Sequence, residues 1–490
     1  MKSRIVRPVN RRGQNYKKKK KNSVSGDTQP MRPVGQNYRQ SRISDTQPME
    51  PVNPGGGYNT YRSAYREAID RRRQVVRTPQ PQTERRPARL AKPKKSSLGR
   101  VISAARSRTA QQEDYFDYDL LLVIVFLMCF GLVMLYSTSA YEADVDFGND
   151  LYYFTRQALI AGVGFVVMFV VSKIDYHIYG AFAFEIYIFA MFMMALVQTP
   201  LGLEFNGARR WIQLPGNQTL QPAEITKIAV ILFISYELCR LGKKAYTLAG
   251  IIRVLVFGAI ASGGVLFLTD NLSTAIIVMA ITCILIFVIH PKTKPFAAIV
   301  VVGALAAAVG IIVLSVIIAN TDVASSDNFR LQRVISWLNP EATADTGSYQ
   351  VMQGLYAIGS GGLFGKGLGN STQKLGVIPE AQNDMILVVI CEELGVFGAL
   401  LILVLFGVLL YRLMFIANNA PDLYGSLIAT GIFAHIALQV ILNIAVVTGL
   451  LPTTGITLPF ISYGGTAILF LMAEMGVALG ISRRIRLQGE

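Results

Sequence analysis

The chain has 490 residues, of which 52% are apolar or aromatic and only 16% carry a charge. Soluble globular proteins average about 25% charged residues, so the composition excludes an ordinary soluble enzyme. The charge is also segregated: residues 1–110 hold 28 Lys and Arg against 6 Asp and Glu, whereas residues 111–490 hold 19 against 25. The four cysteines lie singly in apolar runs, which excludes a secreted disulfide scaffold. A strongly basic segment therefore precedes an apolar, slightly acidic body.

Residues 1–115 are predicted to form a disordered, basic, cytoplasmic tail. They are rich in Arg, Lys, Gln, Pro, Asn and Ser and cannot bury a core. A short motif repeats within them, as DTQPMRPVGQNY from Asp27 and DTQPMEPVNPGGGY from Asp45. The positive charge suits membrane lipids with anionic headgroups, and docking of a cytoplasmic protein stays open. Nucleic acid is not expected as a partner, because the tail is tethered to a membrane.

Apolar runs near the bilayer-spanning length of about 20 residues follow one another from residue 118. Ten spans are predicted, at 119–139, 156–172, 177–197, 222–239, 247–268, 271–290, 295–319, 385–411, 423–446 and 461–481. An even number places both termini on one side, and the Lys and Arg clustered at the span ends on that side identify it as the cytoplasm. We therefore expect an all-α polytopic membrane domain over residues 116–485.

This topology leaves three long segments outside the cell, at about 198–221, 320–384 and 447–460. The middle one has some 65 residues, and loops of that length are usually functional. Lys and Arg are normally concentrated on the cytoplasmic side of a membrane protein, but several lie in these outer segments. They are Arg209, Arg210, Arg330, Arg333, Lys366 and Lys374. Cations on the outer side are explained by an anionic substrate at that face.

Two features, one in the first outer segment and one in the span that follows it, allow both functional and structural interpretations. Arg209 and Arg210 precede Trp211, which suits either an anion site or an interfacial tryptophan anchor with extended arginines. Glu224 and Lys227 lie three residues apart in the fourth span and can pair on one helix face. Ionisable groups at membrane depth indicate function, but a structural ion pair is equally compatible.

The long outer segment contains glycines from Gly359 to Gly369, which do not match a nucleotide-binding loop and instead indicate tight turns or close approach to a ligand. It ends at Asp384, where an aspartate can act as a base, hold a cation or cap the next helix. Glu392 and Glu393 follow about 12 Å deeper and must face protein or water. In the last outer segment Ser462 suits a sugar or phosphate, or a helix cap.

Taken together, these motifs resemble the SEDS family (shape, elongation, division and sporulation) of bacterial membrane proteins over residues 115–485. The matching strings, in order, are NGARRW, QPAE, FRLQRV…LNP, GLGNSTQK, PEAQND…EELG and LLPTTGITLPFISYGG. Within the family, GLGNSTQK and PEA favour the cell-division branch over the elongation branch, and the sporulation branch stays open.

The resemblance implies a peptidoglycan glycosyltransferase that polymerises lipid II at the outer face of the cytoplasmic membrane, at the division septum. It implies a class B penicillin-binding protein and other divisome proteins as partners. The family's essential aspartate corresponds to Asp384, although Gln382-Asn383 stands where His-Thr is usual, Met385 where Phe is usual, and Asp270-Asn271-Leu272-Ser273 where many members have Pro-Asp-Leu-Gly.

We accordingly predict roles for three groups of residues. The catalytic base is Asp384. Candidates for binding the pyrophosphate or sugar are Arg209, Arg210, Arg330, Arg333, Lys374, Glu380 and Ser462. Supporting intramembrane residues are Glu224, Lys227, Glu392 and Glu393. A divalent cation such as magnesium or manganese could assist the leaving pyrophosphate, and the residues alone do not identify a metal.

Two other classes of function are compatible with the same sequence. A lipid II flippase would use polar residues at membrane depth, such as Arg253, as a track to the cytoplasm. A non-catalytic scaffold that recruits the penicillin-binding protein would keep the spans and tolerate loss of Asp384.

Overall fold

The computed structural model describes residues 115–205, 208–214, 218–292, 294–320, 329–340 and 348–486. Residues 1–114, which include nearly all of the predicted basic tail, lie outside them, so the tail and its partners stay predictions. The elements in chain order are α1 (Tyr118–Phe147), α2 (Tyr152–Lys173), α3 (Tyr176–Ala181), α4 (Ala183–Leu196), β1 (Gly202–Phe205), β2 (Ala208–Leu214), β3 (Gln218–Leu220), α5 (Pro222–Leu241), α6 (Leu248–Leu268), α7 (Leu272–Ile289), α8 (Lys294–Asn320), α9 (Phe329–Leu338), α10 (Tyr349–Gly361), α11 (Ile386–Asn419), α12 (Leu423–Val447) and α13 (Thr466–Ser482).

Six helices in the described part of the chain are long and apolar enough to cross a membrane: α1, α2, α6, α7, α11 and α12. Helices α4 and α13 and the middle of α8 are apolar but shorter, and α5 carries four charged residues. The predicted helical, polytopic membrane fold is thus confirmed, whereas the count of ten spans stays a prediction.

The distribution of polar and apolar side chains is that of a protein in lipid. Large apolar side chains are exposed along the helices, such as Phe126 of α1 at 55% and Phe397 of α11 at 57%. Charged and polar side chains are buried instead, including Lys227 and Glu237 of α5 and His435 of α12. Exposed apolar surface of this extent needs lipid or a partner to cover it.

Local backbone geometry interrupts one predicted span and shortens another, whereas α1 and α11 extend eight residues beyond their predicted ends at 139 and 411. The run at 177–197 is divided into α3 and α4 at Phe182, which leaves helical geometry (φ −110°, ψ 18°). The last span begins at Thr466 rather than 461, because Gly465 adopts a left-handed conformation (φ +45°) that ends the preceding turn. Hydropathy alone does not register either break.

The outer segment 198–221 forms a small antiparallel sheet in the order β1-β2-β3, which the all-α prediction missed. Leu203 pairs with Trp211 and Glu204 with Arg209 across the first ladder. These strands have three to seven residues, too few for a clear alternating pattern in sequence.

A kink in α11 explains the glycine-rich stretch. Gly395 has φ +65° and ψ −158° inside the helix. At this break the carbonyls of Glu392 and Glu393 accept hydrogen bonds from the backbone of Lys366 and Gly367, each at 2.9 Å. The glycines therefore let one backbone segment approach the chain's own helix, and this packing fixes the loop that leads to Asp384.

Candidate active site

Asp384 lies at the end of the long outer segment, two residues before α11 begins. The N-cap position of α11 is occupied by Met385, which makes no side-chain capping hydrogen bond, so Asp384 is not the N-cap residue of this helix. Its backbone carbonyl accepts a hydrogen bond from Asn443 Nδ2 at 2.9 Å. Its side chain is partly exposed and lies beside Gly455, where a Cβ atom would be 3.9 Å from Asp384 Oδ2.

The surroundings of Asp384 raise the pKa of its carboxyl group to about 6. Burial by the surrounding protein is the main cause, and the negative charge of Glu380 adds to it, whereas the Arg333 guanidinium opposes both. A carboxylate of this basicity is ionised at neutral pH and accepts a proton more readily than an ordinary aspartate. The group is therefore suited to general-base work.

Two predicted anion-binding residues, Arg210 of β2 and Arg333 of α9, come close enough to interact. Burial lowers the pKa of Arg333, the positive charge of Arg210 lowers it further, and Asp384 opposes this shift. Arg333 Nη1 donates to the Thr453 carbonyl at 3.1 Å, and Arg210 Nη2 donates to the Asp270 carbonyl at 3.2 Å. Two guanidinium groups held near one another suit an anion that bridges them, such as a pyrophosphate.

Two further predicted arginines are not brought to Asp384 by any described contact. Arg209 is exposed on β2 and pairs with Glu204, with 3.2 Å between Nε and Oε2. Arg330 has its backbone in α9, one turn before Arg333, but its side chain lies outside the described residues. Its predicted role in binding stays a prediction.

The side chains of Lys374 and Ser462 are buried and contact other groups of the protein. The Lys374 side chain is buried, and its Nζ lies 2.7 Å from Glu393 Oε1. Ser462 Oγ accepts a hydrogen bond from the Leu458 backbone amide at 2.8 Å and is buried. Lys374 takes part in a buried ion pair with Glu393, and its role in binding a substrate stays a prediction. Ser462 shapes the last outer segment and does not cap α13.

Two of the three residues beside Asp384 that depart from the family pattern, Gln382 and Asn383, have hydrogen-bond partners. Asn383 Nδ2 donates to Glu380 Oε2 at 3.1 Å. Gln382 is buried and hydrogen-bonds the Glu142 carboxylate. Glu380 is exposed and has a positive φ of 51°. The predicted binding residue Glu380 thus faces solvent, and its effect on Asp384 is electrostatic.

Each predicted supporting residue forms an ion pair with at least one buried member. Lys227 Nζ lies 2.9 Å from Glu224 Oε2, and Lys366 Nζ lies 2.6 Å from Glu392 Oε1. Glu392 and Glu393 are both fully buried, and Glu393 pairs with Lys374. These contacts fit the supporting role that the sequence suggested.

A cavity of about 80 Å³ lies between α9, α10 and the last outer segment. Arg333 and Thr453 line one part, and Trp337, Val351 and Leu355 give it apolar walls. Trp337 Nε1 donates to the Gly449 carbonyl at 2.9 Å and so joins α9 to that segment. The lining therefore combines apolar walls with one guanidinium group, in a volume smaller than that of a typical ligand pocket.

The described residues contain no cluster of three or more His, Cys, Asp and Glu able to hold a metal. Magnesium is often bound by one or two carboxylates together with substrate phosphates. Asp384, with Glu380 four residues before it, offers carboxylate oxygens of that kind. The divalent cation stays an expectation, to be held jointly with a substrate.

The sequence reasoning missed three buried polar residues of α12: His435, Gln439 and Asn443. Gln439 and Asn443 hydrogen-bond the backbone of the outer segments, and His435 contacts Gln439. The available signal was their spacing of four residues within an apolar span. That spacing places them on one helix face.

A family model described as "Cell cycle protein", covering FtsW, RodA and SpoVE, matches residues 118–487. Stage V sporulation protein E of Bacillus subtilis is 39% identical over 374 residues, covering 75% of this chain and 98% of that protein. A probable peptidoglycan glycosyltransferase FtsW of Trichlorobacter lovleyi is 37% identical over 374 residues, covering 76% of this chain and 94% of that protein. Relatives from the sporulation and division branches thus match at similar identity.

A solved structure, described under "Structural coordination of polymerization and crosslinking by a peptidoglycan synthase complex", has the same fold. Its TM-score is 0.58 at 24% sequence identity, covering 75% of this chain and 98% of that one. The agreement extends over the membrane body as a whole.

Proposed function

The chain belongs to the FtsW, RodA and SpoVE family of membrane proteins, and from that premise we propose that it is a peptidoglycan glycosyltransferase. It polymerises lipid II into glycan strands at the outer face of the cytoplasmic membrane. The observation that carries this proposal is Asp384, a carboxylate with a pKa of about 6 placed within electrostatic reach of Arg333. A relative 37% identical bears the name peptidoglycan glycosyltransferase.

The reaction joins two lipid-linked sugars. The 4-hydroxyl of the acceptor's N-acetylglucosamine attacks the anomeric carbon of the donor, and the bond from that carbon to the lipid pyrophosphate breaks. Asp384 takes the hydroxyl proton as the new glycosidic bond forms. General-base work of this kind contributes about 10²- to 10⁴-fold in rate.

The leaving pyrophosphate accumulates negative charge as its bond to the sugar breaks. Arg333 and Arg210 are placed to stabilise that charge, since each already donates to a loop carbonyl that fixes its position. Donors that are fixed before the reaction stabilise a transition state without reorganisation at the moment of bond breaking.

The partner and the cellular site are part of the proposal. We place both termini in the cytoplasm, on the charge asymmetry of the spans, and the activity at the division septum, beside other divisome proteins. The cross-linking partner is a class B penicillin-binding protein, supported by the fold shared with a peptidoglycan synthase complex. Matches to both branches leave sporulation as the competing site.

Lipid II flipping is the second candidate, because charged groups lie at membrane depth. Arg253, the residue suggested for a track to the cytoplasm, lies 2.7 Å from Glu237 Oε1. Glu237 is buried and also contacts Arg240 at 3.5 Å. The single carboxylate of Glu237 thus contacts both arginines, Arg240 and Arg253, which favours a structural role for Arg253 over a transport path.

The test is polymerisation of labelled lipid II by the purified protein with its class B penicillin-binding protein, with glycan chains resolved on a gel. Asp384→Asn is compared with Glu204→Gln, which neutralises an exposed acid of the outer sheet. Polymer from wild type and Glu204→Gln alone supports the proposal. Polymer from all three discards the proposed base, and polymer from none, with the complex folded, favours the flippase or scaffold.

A further inference from the structure

One face of α12 carries His435, Gln439 and Asn443 at intervals of four residues. Their exposed fractions are 2%, 8% and 1%. Polar side chains buried in a membrane helix are costly unless each finds a hydrogen-bond partner. The partners they have therefore indicate what this polar face does.

Asn443 joins two outer segments through a single amide group. Its Nδ2 donates to the carbonyl of Asp384 at 2.9 Å and to the carbonyl of Ile456 at 2.7 Å. Asp384 ends the long outer segment, and Ile456 lies in the last one. Asn443 thus sets the position of Asp384 relative to the segment 449–460.

Gln439, one turn earlier, holds the same segment from a second point. Its Nε2 donates to the Thr457 carbonyl at 3.0 Å, while its Oε1 lies 3.3 Å from Lys227 Nζ and 2.9 Å from His435 Nε2. The ammonium group of Lys227 can only donate, so the amide oxygen must face it. The contact with Lys227 therefore fixes the orientation of the Gln439 amide group, which directs Nε2 to the Thr457 carbonyl.

The buried charges extend from Gln439 in two directions. Lys227 pairs with Glu224 at 2.9 Å, and His435 Nδ1 lies 2.9 Å from Glu474 Oε2 of α13. The amide oxygen of Gln439 can only accept, so His435 Nε2 is the donor in their hydrogen bond. Helices α5, α12 and α13 are thereby joined below the outer segments.

The segment 449–460 also fixes the candidate guanidinium, because Arg333 Nη1 donates to its Thr453 carbonyl at 3.1 Å. Asp384 and Arg333 are thus both attached to one short stretch of backbone, Asp384 through Asn443. Their relative position depends on how firmly α12 holds that stretch.

We propose that Asn443 is a positioning residue for Asp384, with Gln439 as the second anchor of the same segment. The proposal rests on the proposed function, because it assigns the reason why Asp384 and Arg333 keep a fixed separation. Neither residue touches the reacting atoms. A displacement of about 1 Å at a reacting group can cost about 10²-fold in rate.

The test compares Asn443→Leu with Thr430→Val on the same helix. Leucine has a similar volume and removes both donors, whereas Thr430 Oγ1 donates only within α12, to the Ser426 carbonyl at 2.8 Å. Both variants are purified with the class B penicillin-binding protein, and their melting temperatures are compared with that of the wild type to show that they are folded. Asn443→Asp, which keeps the shape, replaces Asn443→Leu if the latter does not fold.

Two readouts are taken for each variant. The first is kcat and KM for lipid II: the positioning role predicts that kcat falls roughly 10²-fold for Asn443→Leu while KM changes far less, with Thr430→Val like wild type. The second is backbone hydrogen exchange, which should accelerate over residues 378–386 and 452–458 in Asn443→Leu alone.

The exchange readout does not need activity, so it separates this inference from the proposed function. Accelerated exchange in those two stretches supports it even if the wild type makes no polymer. Unchanged exchange, or kcat equal to that of Thr430→Val in an active preparation, overturns it.

Discussion

The pH dependence of polymerisation gives a quantitative prediction from the surroundings of Asp384. A base must be ionised to accept a proton, so the rate should rise with pH through the pKa of about 6. With that pKa the carboxyl is about nine-tenths ionised at pH 7, about half at pH 6 and about one-tenth at pH 5. Polymerisation at lipid II concentrations well below KM, which reports kcat/KM and hence the free enzyme, should therefore fall about twofold at pH 6 and about tenfold at pH 5.

The substitution Glu380→Gln tests the cause of that shift. The negative charge of Glu380 is one contribution that raises the pKa of Asp384, while burial is the larger one. Removing the charge favours the ionised form of Asp384 and so lowers its pKa. The pH at which the polymerisation rate falls to half should therefore be lower than in the wild type, yet higher than expected for an ordinary aspartate. The side chain of Glu380 is exposed, and the change should leave folding intact.

The assay is the initial rate of lipid II polymerisation between pH 5 and pH 8, with Glu204→Gln as the matched control for loss of an exposed acid. Its profile should superimpose on that of the wild type. If the pH of half-maximal rate in Glu380→Gln equals that of the wild type, or is higher, the electrostatic reasoning is refuted.

Three further substitutions test the surrounding structure. Arg333→Lys should lower kcat for lipid II more than it raises KM, because an ammonium group cannot reproduce the guanidinium's contacts with both the Thr453 carbonyl and a phosphate; equal kinetics would contradict the assigned role. Glu393→Gln leaves Lys374 buried without its counter-charge, and should destabilise the protein by about 3 kcal/mol in thermal or denaturant unfolding, with no change expected if the pair is dispensable. Gly365→Ala should lower the melting temperature because its Cβ would lie 2.1 Å from the Glu393 carbonyl oxygen, whereas Gly303→Ala, with nothing within 4 Å, should not.

Much of the membrane fold could be predicted because lipid imposes a simple requirement on sequence. A long apolar run such as residues 423–446 identifies a helix, and the structure has α12 at Leu423–Val447. Breaks within a run are harder to predict, since Phe182 is as apolar as its neighbours yet ends α3. Short strands were missed for the same reason: β2 is decided by pairing with its neighbours rather than by its own pattern.

The sequence could point to the candidate site only through charged residues that had no evident partner nearby in the chain. Asp384 at the mouth of a span and Arg333 in an outer segment stood out as charges without an obvious partner in sequence, and the structure places them within electrostatic reach. Lys374 looked similar, but Glu393, nineteen residues later, pairs with it. Asn443 gave no such signal, because its role depends on two carbonyls from distant segments.

The most direct test of the central claim is release of undecaprenyl pyrophosphate from labelled lipid II by the purified synthase complex, compared between wild type and Asp384→Asn. The amide is the same size as the carboxyl but accepts no proton, so the account predicts that product release slows by about 10²- to 10⁴-fold in a complex that still folds and binds lipid II. Release at the wild-type rate from Asp384→Asn would contradict the assignment of Asp384 as the base.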